Sequence, residues 1–170
     1  VCEETLAYIN SLPYEKEKYL NVCISLHGRV NPFTGCSYGT FNFAQTPLSE
    51  MFSERIGLNV CIDNDSRTTA YGEYMKHSVK CPKNVIFINL SWGLGMAIII
   101  DGKLYNGMSG FAGEFGHNYG YDNQQICHCG KKGCIETEVS CSALYRKFIE
   151  RLKKGESSVI LKDKSINDIV

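Results

Sequence analysis

The sequence lacks the features that mark several specialised classes of protein. No apolar run approaches the roughly 20 residues that a membrane-spanning helix needs, and no signal-peptide pattern is present. The 18 basic residues balance 18 acidic ones, and no basic stripe follows the chain as it would in a protein that tracks a phosphate backbone. These absences argue against a membrane role and against nucleic-acid binding by this segment alone.

Cysteine, by contrast, is plentiful. Nine cysteines would suggest a disulfide scaffold in a short secreted chain, but the count is odd and 170 residues suffice for one domain with an ordinary core. Cys23 and Cys61 lie inside apolar, strand-like runs, where we expect their thiols to behave as small buried hydrophobes. We therefore predict a reducing, cytoplasmic compartment.

The two ends of the sequence are typical of a segment of a larger protein. The chain has no initiator Met and opens directly in a helical pattern, and residues 165–170 resemble a capped helix that is just beginning. We therefore expect residues 1–170 to be a fragment.

The most informative stretch is the glycine-rich loop at 110–136, which reads GFAGEFGHNYGYDNQQICHCGKKGCIE. It gathers His117, Cys127, Cys129 and Cys134 among polar residues that do not suit a packed core. Three thiolates and one imidazole match the four tetrahedral ligands of a structural Zn²⁺, and a full set leaves no open position for catalysis. We predict a closed zinc site. Incidental small residues or disulfide partners are the alternative, and His128 is a competing ligand that we rank below His117.

Short apolar runs alternate with amphipathic stretches, which predicts an α/β fold. Helical spacing predicts helices at 3–11, 47–56, 68–75 and 135–154, and apolar density predicts buried strands at 21–26 and 59–63. Residues 84–107 predict three consecutive antiparallel strands, with a glycine turn at 92–95 and a hairpin at Asp101 and Gly102. Strands of both kinds indicate a mixed sheet with flanking helices.

Three places along the chain are candidates for binding, and each has a structural alternative. Asn42 lies between two phenylalanines in the irregular stretch 31–45, where it suits a sugar hydroxyl or the stabilisation of its own turn. Asp65 follows the second predicted strand, where capping the next helix is a sufficient reason for a carboxylate. The turn with Gly93 and Gly95 suits a phosphate on its backbone N–H groups, although hairpins need glycine in any case.

Together these motifs resemble the ROK family of sugar kinases and sugar-responsive repressors. The resemblance covers about 22–152 and rests on Asn64 with Asp65, the glycine turn, GEFGH at 113–117 and CHCGKKGCIE at 127–136. It implies the actin-like, ribonuclease H-like fold, a two-lobed α/β architecture with a sugar in the cleft. Residues 1–170 would be the central part of a ROK-type sugar-binding domain, without the N-terminal and C-terminal family segments.

The resemblance also implies roles for single residues. Asn64, Asp65, Glu114, His117 and Glu136 would contact the sugar, and His117 would also bind zinc, so that the ion orients the residue that recognises the ligand. In a kinase, Asp65 would be the catalytic base that takes the proton from the 6-hydroxyl as this oxygen attacks the γ-phosphate of ATP, with Mg²⁺ bound to the nucleotide.

The sequence departs from the kinase pattern at the phosphate-binding turn. Kinases of the family usually have Gly-Thr-Gly there, whereas this chain has SWGLG at 91–95, which places the bulk of Trp92 where a triphosphate must approach. The chain also lacks the N-terminal phosphate loop and the adenosine-binding segment of the family, and truncation would be a sufficient explanation for both.

Two functions from different classes follow. The first is the zinc-stabilised effector domain of a transcriptional repressor, which senses a hexose or N-acetylhexosamine by preferring one conformation. DNA would then be bound only through a helix-turn-helix upstream of Val1. The second is an ATP-dependent hexose or N-acetylhexosamine kinase, favoured by Asp65. A fragment without activity of its own is a third reading, and for the whole protein we expect a homo-oligomer.

Overall fold

A computed structural model describes residues 1–39, 41, 46–76 and 82–159 of the chain. These residues belong to two compact units. Unit 1 comprises Val1–Phe87 and Ala97–Gly113, and unit 2 comprises Ile88–Met96 and Glu114–Val170. In the described part of the chain, none of the helices has the length and apolarity that crossing a bilayer requires. Asn42 lies outside the described residues, and its role stays a prediction.

Unit 1 is an arrangement of helices around a pair of parallel strands. Its elements are α1 (Cys2–Ser11), β1 (Val22–Leu26), β2 (Val30–Asn31), β3 (Cys36–Ser37), α2 (Leu48–Ile56), β4 (Val60–Asn64) and α3 (Asp65–Lys76). β1 pairs with β4 in parallel, from Val22 opposite Val60 to Leu26 opposite Asn64. β2 and β3 form a short antiparallel hairpin. The predicted helices and strands of this region are present, and the α/β class is confirmed.

Three further strands follow along the chain. They are β5 (Val85–Leu90), β6 (Leu94–Ile100) and β7 (Lys103–Leu104), and they form one sheet in that order. Asp101 and Gly102 have φ of 50° and 77°, and this left-handed pair closes the antiparallel hairpin of β6 and β7 as predicted. Among the described residues, however, the parallel pair and the three-stranded sheet are separate, whereas the sequence predicts one mixed sheet.

The core of unit 1 is built on one face of α2 and one face of the parallel strands. Leu48, Phe52 and Ile56 recur at helical spacing and are all buried. They pack in one cluster with further apolar side chains, namely Ile9, Leu26, Val30, Val60 and Ile62. Burying each such side chain contributes about 1.5–3 kcal/mol, so this cluster is the main source of stability of the unit.

The opposite face of the parallel strands corrects one prediction. Cys23 and Cys61 are partners in the register of β1 and β4, and both are exposed free thiols. Successive side chains of a strand point to opposite faces, so the apolar neighbours of each cysteine are turned toward the core while the thiol is turned away from it. The prediction that these two thiols are buried is therefore wrong.

The helical part of unit 2 differs from its prediction in one place. The sequence predicts one helix at 135–154, but the structure has α4 (Glu136–Val139) and α5 (Cys141–Lys153), separated by Ser140. Ser140 has an extended backbone with φ −74° and ψ 166°, and its side chain accepts a hydrogen bond from the Ala143 N–H. It is thus the N-cap of α5. Ile149 and Leu152 are buried on α5, whereas Leu144 of the same helix is 69% exposed.

Candidate metal centre and binding residues

The backbone of the cysteine-rich loop forms a tight turn that brings its thiols together. The Gly130 N–H donates to the Cys127 carbonyl at 2.8 Å, and the Cys127 N–H donates to the Lys131 carbonyl at 2.8 Å. An isolated bridge pairs Tyr119 with Cys134 and returns the chain toward its earlier part. The loop is therefore held by its own backbone hydrogen bonds around the cysteines.

Gly133 is required at the end of this turn. Its φ is +78°, and a Cβ at this position would lie 2.5 Å from the Tyr121 carbonyl oxygen and equally close to the Tyr119 ring. Only glycine combines this backbone conformation with so close an approach. Gly133 thus allows Cys134 to reach the other ligands.

The structure brings together all four side chains that the sequence predicts as metal ligands. Cys127 Sγ lies 3.4 Å from His117 Nδ1, and Cys129 Sγ lies 3.6 Å from Cys134 Sγ. The four donor atoms are all within 4.8 Å of one another. A tetrahedral zinc site with ordinary bond lengths places two sulfurs about 3.8 Å apart and a sulfur and a nitrogen about 3.5 Å apart. The donor set and its spacing fit Zn²⁺, whose role there would be to hold the loop.

His117 presents its two ring nitrogens to different neighbours. It ends a 3-10 turn at Phe115–His117, and its carbonyl accepts a hydrogen bond from Lys131 Nζ at 2.9 Å. Nδ1 faces the thiols, and Nε2 lies 3.9 Å from Glu114 Oε2. A metal on Nδ1 would leave the Nε2 edge beside a carboxylate.

The three thiols differ in how readily they ionise. Burial raises the pKa of Cys127 to about 12 and also raises the pKa of Cys134. Burial acts on Cys129 in the same sense, but hydrogen bonds to its sulfur from the Lys131 backbone N–H and the two neighbouring thiols leave its pKa below the ordinary value. Cys129 is therefore the first thiolate of the cluster, and a bound cation would favour ionisation of the other two.

His128 does not point away from the cysteines, as an extended backbone would make it do. It lies in a turn, and its Nδ1 is 3.8 Å from Cys127 Sγ and 2.9 Å from Glu136 Oε1. With His117 and Glu136 it forms a second group of donor atoms close to one another. Its side chain is 67% exposed.

Glu136 links the cysteine-rich loop to the glycine turn. Its carboxylate is buried at the start of α4, and Oε2 accepts a hydrogen bond from the Leu94 N–H at 2.8 Å. A Cβ on Gly93 would lie 2.7 Å from the same oxygen. The close approach of a carboxylate is therefore a structural reason for Gly93, and Gly95 lies within β6 rather than in the predicted turn. The phosphate-binding role of both glycines stays a prediction.

Asn64 and Asp65 lie in unit 1, where β4 ends and α3 begins. Asn64 Oδ1 accepts hydrogen bonds from the Ser66 and Arg67 N–H groups at 3.0 and 3.2 Å, and its Nδ2 donates to the Gly28 carbonyl at 2.9 Å. These bonds make Asn64 the cap of α3. The predicted capping role of Asp65 is wrong, because the helix begins at Asp65 itself, three residues before the predicted start.

The sequence reasoning missed Arg67, whose guanidinium organises this end of unit 1. The side chain is 2% exposed; its Nε and Nη2 contact Asp63 Oδ1 at 2.7 and 2.6 Å. Nη1 donates to the Gly110 carbonyl at 2.9 Å and Nη2 to the Val30 carbonyl at 2.6 Å. The available signal was weak: Asp63 and Arg67 have opposite charges four residues apart, but Asp63 lies in β4 and Arg67 in α3, so helical spacing does not pair them. The carbonyl partners are distant in sequence and left none.

Comparison with known proteins settles the family. The model of the ROK family matches residues 2–170, almost the entire chain. The chain belongs to the ROK family. Its α/β fold matches those of solved ROK proteins, and the resemblance carried by the GEFGH and CHCGKKGCIE motifs is confirmed.

Relatives of this ROK chain fall into both functional classes of the family. It is 34% identical to the xylose repressor of Bacillus subtilis over 128 residues, which cover 75% of this chain and 33% of the repressor. A solved ROK transcriptional regulator, homologous to the E. coli MLC protein, matches with a TM-score of 0.71, 29% identity and coverage of 99% of this chain and 44% of the regulator. A ROK glucokinase from Streptomyces griseus, solved with glucose and AMPPNP, matches with a TM-score of 0.69, 30% identity and coverage of 89% and 50%. The chain thus spans a third to a half of these relatives, and the family alone does not separate a regulator from a kinase.

Proposed function

We propose that this chain is the sugar-binding effector part of a ROK transcriptional repressor, stabilised by zinc. The observation that carries the proposal is the arrangement around His117, which belongs to the group with the three thiols. Its Nδ1 lies 3.4 Å from Cys127 Sγ, while Nε2 lies 3.9 Å from the half-buried carboxylate of Glu114. A zinc ion on Nδ1 would fix the ring, and the ring and carboxylate together offer a donor and an acceptor to neighbouring hydroxyl groups. We expect the ligand to be a hexose or an N-acetylhexosamine.

The proposed sugar contacts are those that the family resemblance implies. They are Asn64, Asp65, Glu114, His117 and Glu136. All five have carboxylate, amide or imidazole groups, which bind hydroxyls by hydrogen bonds. Asn42 is a sixth candidate on the basis of its sequence context.

The glycine turn favours a sensor over a kinase. The N–H of Leu94, the first residue of β6 directly after this turn, donates to the Glu136 carboxylate, so this backbone donor already has an anionic partner. A phosphate at the same N–H would meet the like charge of that carboxylate, which disfavours it. Trp92 beside this turn packs on Tyr145, with ring centroids 5.8 Å apart, and occupies the position of the threonine usual in the kinases.

The alternative is an ATP-dependent hexose or N-acetylhexosamine kinase, and Asp65 is the observation that favours it. A carboxylate at the first residue of α3, with Oδ1 held at 2.7 Å by the Ser66 N–H, is ionisable and fixed in place. In this alternative Asp65 takes the proton of the sugar 6-hydroxyl, and ATP with Mg²⁺ supplies the phosphoryl group.

The test measures sugar binding and ATP turnover on the same protein. Calorimetry would be run with glucose, N-acetylglucosamine, N-acetylmannosamine and xylose, and a coupled ADP assay would be run with each sugar. We expect binding of a hexose or N-acetylhexosamine with very little ADP formation. Sugar-dependent turnover near 10 s⁻¹, an ordinary enzyme rate, would overturn the repressor and support the kinase. Absence of binding to every sugar would support a fragment that is inactive alone.

The coding sequence upstream of Val1 is an independent test of the class. A helix-turn-helix there would support the repressor, which contacts DNA through that domain and not through this chain. An initiator Met followed directly by a phosphate loop would support the kinase. We also propose that the whole protein is a homo-oligomer, which light scattering of the intact protein would test.

A further inference from the structure

We propose that His128 is a positioning residue that holds the carboxylate of Glu136, and that it is not a metal ligand. The inference rests on the proposed function, in which Glu136 is one of the sugar contacts. It concerns the residue between the first two cysteines of the loop, which the four-ligand site does not use.

The two oxygens of the Glu136 carboxylate have separate partners. Oε2 accepts from the Leu94 N–H at 2.8 Å, and Oε1 lies 2.9 Å from His128 Nδ1. Oε1 also has a longer contact with Cys127 Sγ, at 3.6 Å. A carboxylate held at one oxygen still rotates about its terminal torsion, which is broad for glutamate. Contacts at both oxygens, one from β6 and one from the cysteine-rich loop, define the plane of the group. His128 makes the shorter of the two contacts at Oε1 and thus contributes most to the orientation on that side.

The same distances argue against a ligand role for His128. Its Nδ1 lies 2.9 Å from Glu136 Oε1 but 3.8 Å from Cys127 Sγ. The ring packs edge-on against His117 with centroids 4.9 Å apart, while its side chain is 67% exposed. Three thiols and His117 already complete a tetrahedral set, so no position remains for a fifth donor.

A loss of this contact would act on the sugar through Glu136. Hydrogen bonds to a carboxylate are stronger than those between neutral groups. Without His128, the buried Oε1 retains only the longer contact with Cys127 Sγ, which would no longer donate a proton once Cys127 binds a metal as a thiolate. The carboxylate would then take orientations that do not match the hydroxyl groups of the ligand. The hydrogen bond from the Leu94 N–H to the other carboxylate oxygen would also change, and this change can be measured even without a sugar.

The experiment compares three variants of the chain: His128→Ala, His128→Asn and Lys132→Ala. Asparagine places its amide nitrogen close to the position of Nδ1 and keeps the hydrogen bond, whereas alanine removes it. Lys132 is an exposed residue of the same loop whose Nζ contacts Gln124 at 2.7 Å, and it serves as the matched control. The readouts are zinc content, the NMR shift and hydrogen exchange of the Leu94 amide, and affinity for the sugar that the wild type binds.

We expect His128→Ala to weaken sugar affinity about tenfold, the equivalent of one ordinary hydrogen bond, and to speed exchange of the Leu94 amide, with zinc content unchanged. His128→Asn and Lys132→Ala should both behave as the wild type. Loss of zinc in His128→Ala would overturn the proposal in favour of a ligand role, and unchanged affinity with an unchanged Leu94 amide would overturn it outright. If the wild type binds none of the sugars while the Leu94 amide changes in His128→Ala and recovers in His128→Asn, the positioning role stands and the sugar-binding function fails.

Discussion

The two units fix irregular backbone by different chemistry. In unit 1, the guanidinium of Arg67 connects Asp63 to the carbonyls of Val30 and Gly110, and every partner is an atom of the chain itself. In unit 2, the corresponding role falls to a group of thiols and an imidazole that suits an ion. The first anchor is complete once the chain folds. The second has the composition of a metal site, so its stability would vary with the supply of the ion.

The difference between the arginine network of unit 1 and the thiol cluster of unit 2 follows from the charges of their side chains. A buried guanidinium has five donors, and here it meets one carboxylate and two carbonyls, so its charge and its hydrogen bonds are largely satisfied. For three neighbouring thiols that ionise, no positively charged side chain of the cluster balances the negative charge. Ionising more than one of them concentrates negative charge, and burial together with the neighbouring thiols of Cys129 and Cys134 raises the pKa of Cys127 to about 12. A bound cation would offset this repulsion, and loop stability would then be coupled to metal binding.

The largest expected effect is on the metal-dependent anchor. Cys129→Ser removes the thiol that ionises first, and we expect zinc content to fall from one per chain to nearly none. Amides of the loop at 117–136 should then exchange much faster, while those of β1 and β4 in unit 1 should not change. Elemental analysis and hydrogen exchange measure the two effects.

Cys141→Ser is the matched control for this prediction, because Cys141 is an exposed cysteine of the same unit outside the cluster. It should retain full zinc. Unchanged zinc content in Cys129→Ser would refute the ligand assignment, and faster exchange in unit 1 as well would show that the two anchors are not independent.

The second largest effect is expected from a substitution of Arg67, and the loss of stability should be confined to unit 1. Arg67→Met preserves much of the side-chain volume but leaves Asp63 and two carbonyls without their buried partner, and we expect a loss of about 3–5 kcal/mol in the free energy of unfolding. Zinc content should be unaffected. Chemical denaturation monitored in unit 1 measures the loss.

Arg55→Met is the control for Arg67, since Arg55 lies exposed in the last turn of α2. Its free energy of unfolding should stay within about 0.5 kcal/mol of the wild type, as is usual for surface positions. A loss below about 1 kcal/mol in Arg67→Met would contradict the importance of this network, given the usual cost of breaking a buried pair.

The same contrast explains which features the sequence reveals. The thiol cluster can be predicted from the sequence, because His117 and the three cysteines are residue types that bind metals and lie close together within one loop. Helix α2 can be predicted equally well, since Leu48, Phe52 and Ile56 follow the helical period. In both cases the information is local, and the structure agrees with the prediction.

Contacts between residues that are distant in the sequence could not be predicted in this way. The bond from the Leu94 N–H to Glu136 joins residues 42 positions apart, and the bond from Arg67 to Gly110 joins residues 43 apart. Nothing in the local sequence marks either pair. The exposure of Cys23 was missed for a related reason, because a short apolar run does not tell which alternate residues face the core.

Local competition explains the remaining differences. Asn64 takes the cap of α3 because its side-chain oxygen reaches two N–H groups of the first turn, while Asp65 is already helical. Ser140 interrupts the predicted helix because its hydroxyl offers the Ala143 N–H an alternative partner. Both residue types favour caps, and geometry rather than residue type decided where each cap lies.

The smallest effect tests a third kind of anchor, a surface ion pair at the base of the loop. Glu138 accepts a hydrogen bond from Asn123 at 2.7 Å and pairs with Lys147 of α5 at 2.5 Å. The Lys147 ammonium holds the pKa of Glu138 below its ordinary value of 4.5. A carboxyl with a lowered folded-state pKa contributes stability that is present above its unfolded-state pKa and is lost as the pH falls through the folded-state pKa.

We therefore expect Glu138→Gln to lower the free energy of unfolding by about 0.5–1 kcal/mol at pH 7, the range of partly exposed pairs. The difference from the wild type should shrink as the pH is lowered below 4.5 and vanish once Glu138 is protonated in both states, which denaturation at a series of pH values measures. Glu150→Gln is the control, because the Glu150 carboxylate is 51% exposed and lies 3.3 Å from Arg146, so its effect should be smaller at every pH. A difference between Glu138→Gln and the wild type that stays constant down to low pH would mean that Glu138 acts through packing and not through its charge.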